Sequence, residues 1–595
     1  MRFLVAIGTL CVAALLLIVG LVFKFTAGAN DISMTVATNS SSAYAVIDAD
    51  VMKLHPGNQA VSISTPGLNT VAYGATTDVL SWLAGSSYAH VTLADNSKTP
   101  SVTEVSAAES ALSDPAAAAA ADKQIVSPAG SDMWLGEMTN PQGEASLQMQ
   151  LSSNESIIVA TDGVKALPSE IGLSWPKPKP TFLWMTDDVL IVVGGVILLA
   201  GILLYLWSLN KLRGGKGPRR RGRLPKGPKP NMRIGRGPRQ VFGPAQGRRS
   251  LGKTTLVTAG VAGALALGLS GCSGYQNGLQ NATPTPTASD EVTQSGPGAV
   301  VTSEQASLIM DKVVAAMKTA DEQNDVNLAR TRMTGAALDA RAARYAMRKS
   351  NSKISALPGI NAQSIQLLLP QATELWPRSV MAIAKADASS EKGQEPPSVA
   401  VILTQDSPRA NYKVAYLTNL QAKQQIPQVA SMTAGAPLIA LDTALLAISP
   451  NVLAAKYGDV LTSGEKSASA RYFDASSDQL RPALLNERKQ QQGKDVKSSY
   501  KDLAGAATPV AFATIDGGAL VLAQVNELGT FTPLNNKDLK LTGQLTALAG
   551  VQISAQPTVA TYGMQVLFYV PPATDQGKVR LLGYVENLIG VSFNK

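Results

Sequence analysis

The chain has 595 residues, of which 45% are hydrophobic, 16% charged and 5% aromatic, and its formal net charge is +9. This length exceeds that of one compact domain, and the apolar fraction excludes a disordered chain. Because the chain contains only 2 cysteines and 2 histidines, its composition excludes a structural zinc site, an iron–sulfur cluster and a disulfide framework.

The N-terminal segment, residues 1–29, contains an unbroken apolar run over Phe3–Phe23. At about 1.5 Å per residue, such a run is long enough to cross a hydrocarbon core of about 30 Å. A cleaved secretory signal peptide is the alternative, because Ala27–Ala29 has the small-x-small form of a cleavage site. The length of the run favours an uncleaved membrane anchor, and both interpretations predict that residue 30 onward lies outside the cytoplasm.

Residues 30–186 contain short runs of alternating apolar and polar residues, which are typical of half-buried strands. The runs are Ala43–Ile47, Ala60–Ser64, Ala89–Leu93, Ala145–Leu151 and Ser156–Ala160. A short helix is predicted at 78–83, and an alanine-rich stretch at 115–123 is predicted to be a helix or a linker. We therefore predict a small, mostly β extracytoplasmic domain.

The tryptophan and histidine side chains of this domain are predicted to be structural. Trp82, Trp134 and Trp175 are expected to anchor the core rather than to form a platform for a ligand. His90 lies in a strand pattern and His55 in a turn pattern, and neither has an identifiable serine or cysteine partner. Both imidazoles are therefore expected to be structural or solvated.

A second membrane span is predicted at residues 187–208. Its apolar run is flanked by Trp184 at one end and by Tyr205 and Trp207 at the other, as expected of aromatic anchors at a membrane interface. Aspartates precede the run and basic residues follow it. The positive-inside rule then predicts that the preceding domain is extracytoplasmic and that the chain re-enters the cytoplasm after this span.

The positive charge of the chain is concentrated in residues 209–253, a stretch without Asp or Glu. Its dispersed Gly and Pro predict a disordered cytoplasmic loop held near anionic membrane lipids. Nucleic-acid binding is the alternative, but it would call for a folded surface that carries aromatic residues, so we predict no nucleic-acid partner. The residues assigned to the topology signal are Arg219, Arg220, Arg221, Arg248, Arg249 and Lys253.

A third apolar segment, residues 254–272, ends in Leu269, Ser270, Gly271 and Cys272. Basic residues, an apolar stretch and this L-S-G-C box together resemble the lipobox of bacterial lipoproteins. The resemblance implies that the Cys272 thiol receives diacylglycerol and that a peptidase cuts before it. An ordinary third transmembrane helix with an incidental cysteine is the alternative.

Residues 247–254 also satisfy the phosphate-loop pattern G-x-x-x-x-G-K-T. That loop cradles phosphates only where it joins a buried strand to a helix of a parallel sheet. Here a Gly/Pro/Arg-rich coil precedes the pattern and a membrane-length apolar run follows it. We therefore predict no bound nucleotide and no other cofactor. Residues 273–300 contain a Thr/Pro repeat and are predicted to be a tether.

The remaining chain is predicted to form two α+β units, residues 301–447 and 448–595. Each unit is expected to pair helices with antiparallel hairpins on a curved sheet. Helical periodicity covers 305–318, 327–348, 452–460 and 477–492. Strand patterns cover 379–384, 398–403, 412–417, 510–515, 519–525, 564–570 and 579–585. The fold class is therefore a multi-domain membrane protein with two to three transmembrane helices, a β domain and a tandem α+β region.

Catalytic residue types are scarce in this C-terminal region, because no histidine or cysteine follows Cys272. The S-x-x-K pattern occurs at Ser350, Ser389, Ser463 and Ser498 without an accompanying K-T-G, and this frequency indicates chance. Asp474 and Asp478 could serve glycoside chemistry, but the sequence does not fix their separation. We predict no catalytic and no metal site.

Two groups of residues carry a family resemblance. One is the polar pattern over Ala320–Tyr345, and the other combines Tyr73–Val79 with Ser131–Trp134. Together they resemble an uncharacterised actinobacterial family of membrane-anchored lipoproteins. The resemblance implies a location in the cell envelope and no known activity. The helical opening of the C-terminal region is also similar to nuclear-transport-factor-like α+β cones, which often bind or scaffold.

These features favour a non-catalytic protein of the bacterial cell membrane, with residues 30–186 and 273–595 extracytoplasmic and 209–253 cytoplasmic. Its extracytoplasmic domains are expected to bind or scaffold another envelope component, whose identity the sequence does not give. A solute-binding lipoprotein of a transporter is one alternative and would require two α/β lobes with parallel sheets. A carboxylate-based envelope enzyme is another, and would require a pocket with two facing carboxyl groups of divergent pKa.

Overall fold

The computed structural model describes residues 2–27, 31–38, 40–94, 98–176, 187–213, 298–387, 395–422 and 424–594. The fold is mixed α/β with several sheets, as the sequence predicts. The chain divides into two compact units, of which one contains most of the two long apolar helices and the other contains the remaining described residues. The helices are α1 (Arg2–Ala27), α2 (Ala49–Met52), α3 (Thr76–Leu83), α4 (Ala107–Ser113), α5 (Pro115–Ala120), α6 (Asp187–Arg213), α7 (Ser303–Gln323), α8 (Val326–Arg332), α9 (Gly335–Ser350), α10 (Pro450–Ser463), α11 (Leu480–Gln490) and α12 (Gly543–Ala549).

Helices α1 and α6 are long and apolar enough to cross a membrane, over Leu4–Val22 and Ile191–Ser208. Most of their side chains are exposed, which is unlike the core helix of a soluble protein. A Cβ atom added at Gly194 would approach the Leu17 side chain to 3.0 Å. A small residue at such a position lets two helices pack closely, as in membrane bundles. The two predicted apolar helices are confirmed, and their topology stays a prediction.

Residues 31–176, which we call the N-terminal domain, form two sheets. Their strands are β1 (Ile32–Ala37), β2 (Tyr44–Asp48), β3 (Gln59–Thr65), β4 (Asn69–Ala75), β5 (Tyr88–Leu93), β6 (Pro100–Val105), β7 (Gly136–Asn140), β8 (Gly143–Met149), β9 (Glu155–Ala160) and β10 (Glu170–Trp175). One sheet has the order β1-β10-β3-β8 and the other β6-β5-β2-β9-β4-β7. The expected mostly β domain agrees with this arrangement.

The three tryptophans of the N-terminal domain are buried, as the sequence predicts. The Trp175 indole donates a hydrogen bond of 2.6 Å to the Met52 carbonyl. Trp82 and Trp134 belong to a second apolar cluster on the outer face of the six-stranded sheet. His90 lies 2.9 Å from an oxygen of Asp48 and has no nucleophilic partner in the described contacts.

Residues 298–594, which we call the C-terminal region, also contain two large sheets. Their strands are β11 (Ile360–Asn361), β12 (Leu367–Ala372), β13 (Arg378–Ala386), β14 (Ser398–Gln405), β15 (Lys413–Asn419), β16 (Ala436–Pro437), β17 (Val496–Ala504), β18 (Val510–Ala513), β19 (Ala519–Pro533), β20 (Leu539–Lys540), β21 (Ile553–Ser554), β22 (Thr558–Val570) and β23 (Arg580–Phe593). The first sheet has the order β15-β14-β13-β12-β16, and the second β17-β19-β22-β23. Pairing is antiparallel except between β12 and β16, which share two register positions.

Both faces of each large sheet in the C-terminal region are buried. In β13, Val380 and Ala382 belong to a core formed with α7, α8 and α9. Met381 and Ile383 point the opposite way, into a core that includes Phe512 of the second sheet. Successive strand residues alternate between faces, so a strand covered on both sides has a continuous apolar run. The two sheets therefore pack back to back, with helices outside.

The back-to-back packing was not anticipated from the sequence, which suggested two units each with its own core. Helices α10 and α11 do cover the outer face of the second sheet, as expected for each unit. However, the apolar core between the sheets is common to both. The proposed boundary at 447/448 stays a prediction.

The predicted continuous helix over 327–348 is wrong at residues 333 and 334. Met333 forms a parallel bridge with Val414, and the Thr334 amide donates a hydrogen bond of 2.9 Å to the Val414 carbonyl. Gly335 then has a φ of 52°, a left-handed conformation that favours glycine. The break separates α8, which ends at Arg332, from α9.

Candidate functional site

The N-terminal domain and the C-terminal region contact each other through buried polar anchors, which we call the interdomain interface. Its central residue is Asp132, whose side chain is 0% exposed. Both of its oxygens accept hydrogen bonds from the Arg332 guanidinium, one of them at 3.2 Å from Nη2. The Tyr412 amide donates a further bond of 2.9 Å to Oδ2. A buried carboxylate is thus satisfied almost wholly by the other part of the chain.

The backbone of Asp132 is also bound by the C-terminal region. Its amide donates to Oδ1 of Asn411 at 3.0 Å, and its carbonyl accepts from Nε2 of Gln305 at 3.0 Å. Gln305 also completes the capping box at the start of α7 with Thr302. The N-terminus of α7 is therefore fixed by the same side chain that holds the Asp132 loop.

A second anchor joins Asp78, in the first turn of α3, to Arg378, the first residue of β13. Their charged atoms lie 2.7 Å apart, and both side chains are largely buried. Burial raises the pKa of Asp78, and the nearby Arg378 opposes that rise. The Arg378 guanidinium also lies 4.2 Å above the Trp376 ring. Trp376 packs against the tryptophan-containing cluster of the N-terminal domain.

A third anchor is Arg409, which the turn between β14 and β15 inserts into the N-terminal domain. Its Nε donates to the Trp82 carbonyl at 3.0 Å, and its Nη2 donates to Oγ of Ser86 at 2.7 Å. The guanidinium lies 5.1 Å from the Trp82 ring, within the range of a cation–π contact. Burial lowers the pKa of Arg409.

The three anchors have one polarity. The N-terminal domain contributes carboxylates and carbonyl oxygens, whereas the C-terminal region contributes guanidinium groups. Such charge complementarity selects partners and fixes their register. Asp78 and Asp132 lie within the residues that carry the family resemblance, but sequence reasoning assigned them no contact. A sequence signal for these anchors is a charged residue next to a tryptophan. It occurs in Asp132-Met-Trp134 and in Trp376-Pro-Arg378.

The residues of α7 and α9 that carry the family resemblance include a second buried network, which is centred on Asp321. Arg341 pairs with one oxygen of Asp321, and the Tyr345 hydroxyl donates a bond of 2.6 Å to the other. Burial and this hydrogen bond raise the pKa of Tyr345 well above its usual range. Because α7 and α9 are joined here by charge, we regard this network as structural.

A cavity of about 560 Å³ opens within the C-terminal region, between the ends of the two large sheets. Its walls are mainly apolar and include Trp376, Tyr416 and Ile439. Two leucines of the lining, Leu375 and Leu438, are 53% and 46% exposed to solvent. Asp406 is the only charged residue in the described lining. The size and lining are those of a site for a small apolar ligand or group.

One family model matches the C-terminal region. Residues 297–592 match the model of a domain of unknown function, DUF8094. No curated protein and no solved structure matches the chain. From here on we call the C-terminal region the DUF8094 region. It contains the cavity, the Asp321 network and the arginines of the interdomain interface.

A cluster of carboxyl groups surrounds Arg488 in the DUF8094 region. Its guanidinium lies 2.8 Å from Asp502 and also pairs with Glu527. Burial and the neighbouring carboxylates raise the pKa of Glu586 to about 8. Among these carboxylates, Glu487 makes the largest contribution. Burial also raises the pKa values of Asp502 and Glu527. None of these carboxyl groups lines the cavities described in the structure.

The other carboxylates considered for catalysis have separate structural contacts in the DUF8094 region. Asp474 accepts bonds from the amide and hydroxyl of Ser476. Asp478 accepts a bond of 3.0 Å from the Tyr457 hydroxyl and caps the start of α11 through the Arg481 amide. The two residues therefore do not face each other across a described cavity.

Two serines of the S-x-x-K patterns make local contacts, and Ser350 is an exposed residue at the end of α9. The Ser463 hydroxyl bonds to Asp459, and the Ser498 hydroxyl bonds to the Gln491 carbonyl. Ser389 lies outside the described residues. Among the described residues there is no group of three His, Cys, Asp or Glu side chains suited to a metal ion.

The predicted lipidation and topology residues lie in the part of the sequence between α6 and α7. The lipobox residues Leu269, Ser270, Gly271 and Cys272 lie outside the described residues, as do Arg219, Arg220, Arg221, Arg248, Arg249 and Lys253. The phosphate-loop pattern at 247–254 lies outside them as well. These assignments stay predictions.

Proposed function

We propose that the protein is a non-catalytic, membrane-anchored protein of the bacterial cell envelope whose two extracytoplasmic domains together bind another envelope component. The observation that supports this best is the interdomain interface. Its buried ion pairs would hold the N-terminal domain and the DUF8094 region as one body on one side of a membrane. A binding surface could then draw on both.

The interface also supports the topology predicted from the sequence. Helices α1 and α6 flank the N-terminal domain, so two crossings would leave the residues after α6 on the opposite side. Contact with the N-terminal domain requires the DUF8094 region to return to the first side. One further crossing between residues 214 and 297 meets this requirement, and the apolar segment 254–269 is suited to it.

A return through segment 254–269 is compatible with lipidation at Cys272. In that case the apolar segment acts as the signal of a lipoprotein, and the DUF8094 region becomes anchored by the lipid on Cys272. The actinobacterial lipoprotein resemblance agrees with this organisation. The alternative, an uncleaved third helix, places the DUF8094 region on the same side.

Tags at both ends of the chain distinguish these two forms. We expect the wild-type chain to yield two fragments, and a lipoprotein-peptidase inhibitor or Cys272→Ala to yield one full-length species. Cys11→Ala is a matched control, because Cys11 lies in α1 and outside the lipobox. A single species in the wild type would contradict lipoprotein processing. In a separate test, protection of the C-terminal tag from added protease in intact spheroplasts would contradict the extracytoplasmic location.

The cavity of the DUF8094 region is the best candidate for the binding of an envelope component. Burial of an apolar group there is favourable because water leaves the walls and the exposed Leu375 and Leu438. No basic side chain belongs to the described lining, so the cavity is poorly suited to an anionic group. We therefore propose that it takes an uncharged, apolar part of the partner.

Photo-crosslinking from the cavity mouth tests this assignment in intact cells. A photoreactive residue in place of Leu438 is expected to give an adduct of defined mass, and Ala507→Trp, which fills the cavity, is expected to abolish it. The same photoreactive residue at the exposed Ile553, which lies outside the cavity lining, is the control. An adduct that persists in the filled cavity, or that also forms from Ile553, would contradict the proposal.

A solute-binding lipoprotein is less well supported. That class closes two α/β lobes, built on parallel sheets, over its ligand. The large sheets of the DUF8094 region are antiparallel except for the two-residue pairing of β12 with β16, and they share one apolar core. Two sheets that are packed back to back offer no hinge between lobes. An enzyme based on carboxylates is also less well supported, because the Arg488 cluster lines none of the described cavities.

A further inference from the structure

We infer that the N-terminal domain and the DUF8094 region recognise each other as separable partners, so that scission of the chain between them leaves a non-covalent complex. The inference extends the proposed function, in which the chain is cut before Cys272. It concerns what happens to the two products. The partner of each product is the other part of the same chain.

Each part has a core of its own. The N-terminal domain encloses one core between its two sheets and a second on the tryptophan-containing face. The DUF8094 region has separate cores on the outer faces of its sheets and one between them. Trp376 is the only described hydrophobic residue of the DUF8094 region that packs on a core cluster of the N-terminal domain. Neither part depends on the other for most of its buried apolar area.

No strand pairing joins the two parts in the described residues, since every sheet is formed within one of them. The contacts between them are instead side-chain anchors, such as Asp132 with Arg332 and Arg409 with the Trp82 carbonyl. Complementary charges across an interface between separately folded molecules select the partner and fix the register of the two surfaces. Two parts of one continuous chain do not need complementary charges to select each other.

The strength of the contact rests on charges that only the other part satisfies. Separation of the two parts would break the bonds of the Asp132 carboxylate to Arg332 and Tyr412 and expose it to water. Lys312, whose Nζ lies 3.4 Å from the same carboxylate, adds a second cation. Removing one member of a buried pair leaves the other charge without compensation, which is strongly unfavourable. Close charge pairs across an interface contribute net affinity in some complexes, so we expect the complex to outlast the covalent link and to weaken when either partner is removed.

An engineered cut in the full-length protein tests this without reliance on natural processing. A protease recognition sequence inserted between residues 283 and 288 of the Cys272→Ala chain allows cleavage after folding, in detergent. The released fragment carries no apolar membrane segment. Its retention on the N-terminal part, held by an N-terminal affinity tag, is followed over time after dilution.

The wild-type interface is expected to retain the cut fragment. Asp132→Ala and Arg332→Ala are each expected to weaken retention by roughly 100-fold or more, and the double variant by less than the product of the two effects. Asp50→Ala, an exposed carboxylate of the same domain, is the matched control and should retain the fragment. The fragment released from the Asp132→Ala chain is chemically identical to the wild-type fragment, so its folding cannot account for the loss.

Three outcomes would overturn the inference. They are release of the wild-type fragment upon cutting, unchanged retention in either single variant, and independent effects of Asp132→Ala and Arg332→Ala in the double variant. Failure of lipoprotein processing is seen separately as a single species of the tagged wild-type chain, and failure of the proposed function as the loss of the crosslink from Leu438, while the engineered cut still reports on the interface.

Discussion

The DUF8094 region has two buried contact regions that differ in chemistry, the core between its sheets and the interdomain interface. The core between the sheets is made of residues such as Phe512, Leu522 and Leu567, which are 0% exposed. The interdomain interface depends on ion pairs, such as Asp78 with Arg378. The first contact is that of an obligate core, and the second is that of a specific docking surface.

This difference separates stability from recognition. Apolar burial is non-directional and scales with area, so the two sheets can stay together despite small changes in side-chain direction. Buried ion pairs contribute little net stability relative to apolar replacements but are intolerant of a missing partner. We therefore expect changes in the sheet core to unfold the DUF8094 region and changes at the interface to release it folded.

The largest expected effect is that of Phe512→Ala in β18. A fully buried phenylalanine at the centre of the sheet core is lost, leaving a cavity that costs about 3–5 kcal/mol. We expect the midpoint of denaturant unfolding of the DUF8094 region to fall, as measured by pulse proteolysis with a C-terminal tag. Leu485→Ala, at an exposed position of α11, is the control and should change the midpoint little.

The sheet core illustrates what the sequence could and could not predict. The apolar runs of β13, β14, β19 and β22 predicted strands, and those strands are present. A continuous apolar run does not alternate with polar residues, however, so it does not show which residues share a face of the strand. The pattern therefore could not predict that Val380 and Met381 pack into two different cores. Pairings over long sequence distances, such as Asp132 with Arg332, leave no local periodicity, and the interface was therefore missed.

The second effect is that of Arg409→Met at the interdomain interface. This change removes charged hydrogen bonds to the Trp82 carbonyl and the Ser86 hydroxyl, each of which contributes on the order of 1.5–3 kcal/mol. We expect faster hydrogen exchange of the Tyr412 amide, which is bonded to Asp132, with little change in exchange of the sheet-core amides.

Arg471→Met is the matched control for this prediction, because Arg471 is exposed and contacts only its neighbour Tyr472 among the described residues. It should leave exchange at Tyr412 as in the wild type. If Arg409→Met instead accelerated exchange throughout the sheet core, the two contact regions would be one cooperative unit, and the proposed separation between them would be wrong.

A third, smaller effect concerns pH. The pKa of Glu586 is raised to about 8 in the folded protein from an ordinary value of 4.5, so between these values the folded state binds more protons than the unfolded state. The stability that this proton contributes is present below the lower pKa and is lost as the pH rises through the higher one. We expect Glu586→Gln to be more stable than the wild type at pH 9 and similar to it at pH 5.

Thermal unfolding midpoints at pH 5, 7 and 9 check this expectation. Some pH dependence should remain, because Asp502 and Glu527 also have raised pKa values. Glu465→Gln, at an exposed glutamate paired with Arg481, should follow the wild-type profile. A Glu586→Gln profile parallel to that of the wild type would mean that Glu586 stays ionised in the folded protein.

The smallest effect is expected for Glu395→Gln, at an exposed ion pair with Lys385. Their charged atoms lie 2.9 Å apart, close to the 2.7 Å between Asp78 and Arg378. The hydrogen bond and charge of Lys385 lower the pKa of Glu395, yet water screens an exposed pair and long side chains lose entropy in forming it. Because docking stabilises the folded state of each part, the unfolding midpoint of the intact chain should be lowered by Asp78→Asn and unchanged by Glu395→Gln. Equal effects of the two changes would show that distance, and not burial, gives the interdomain anchors their strength.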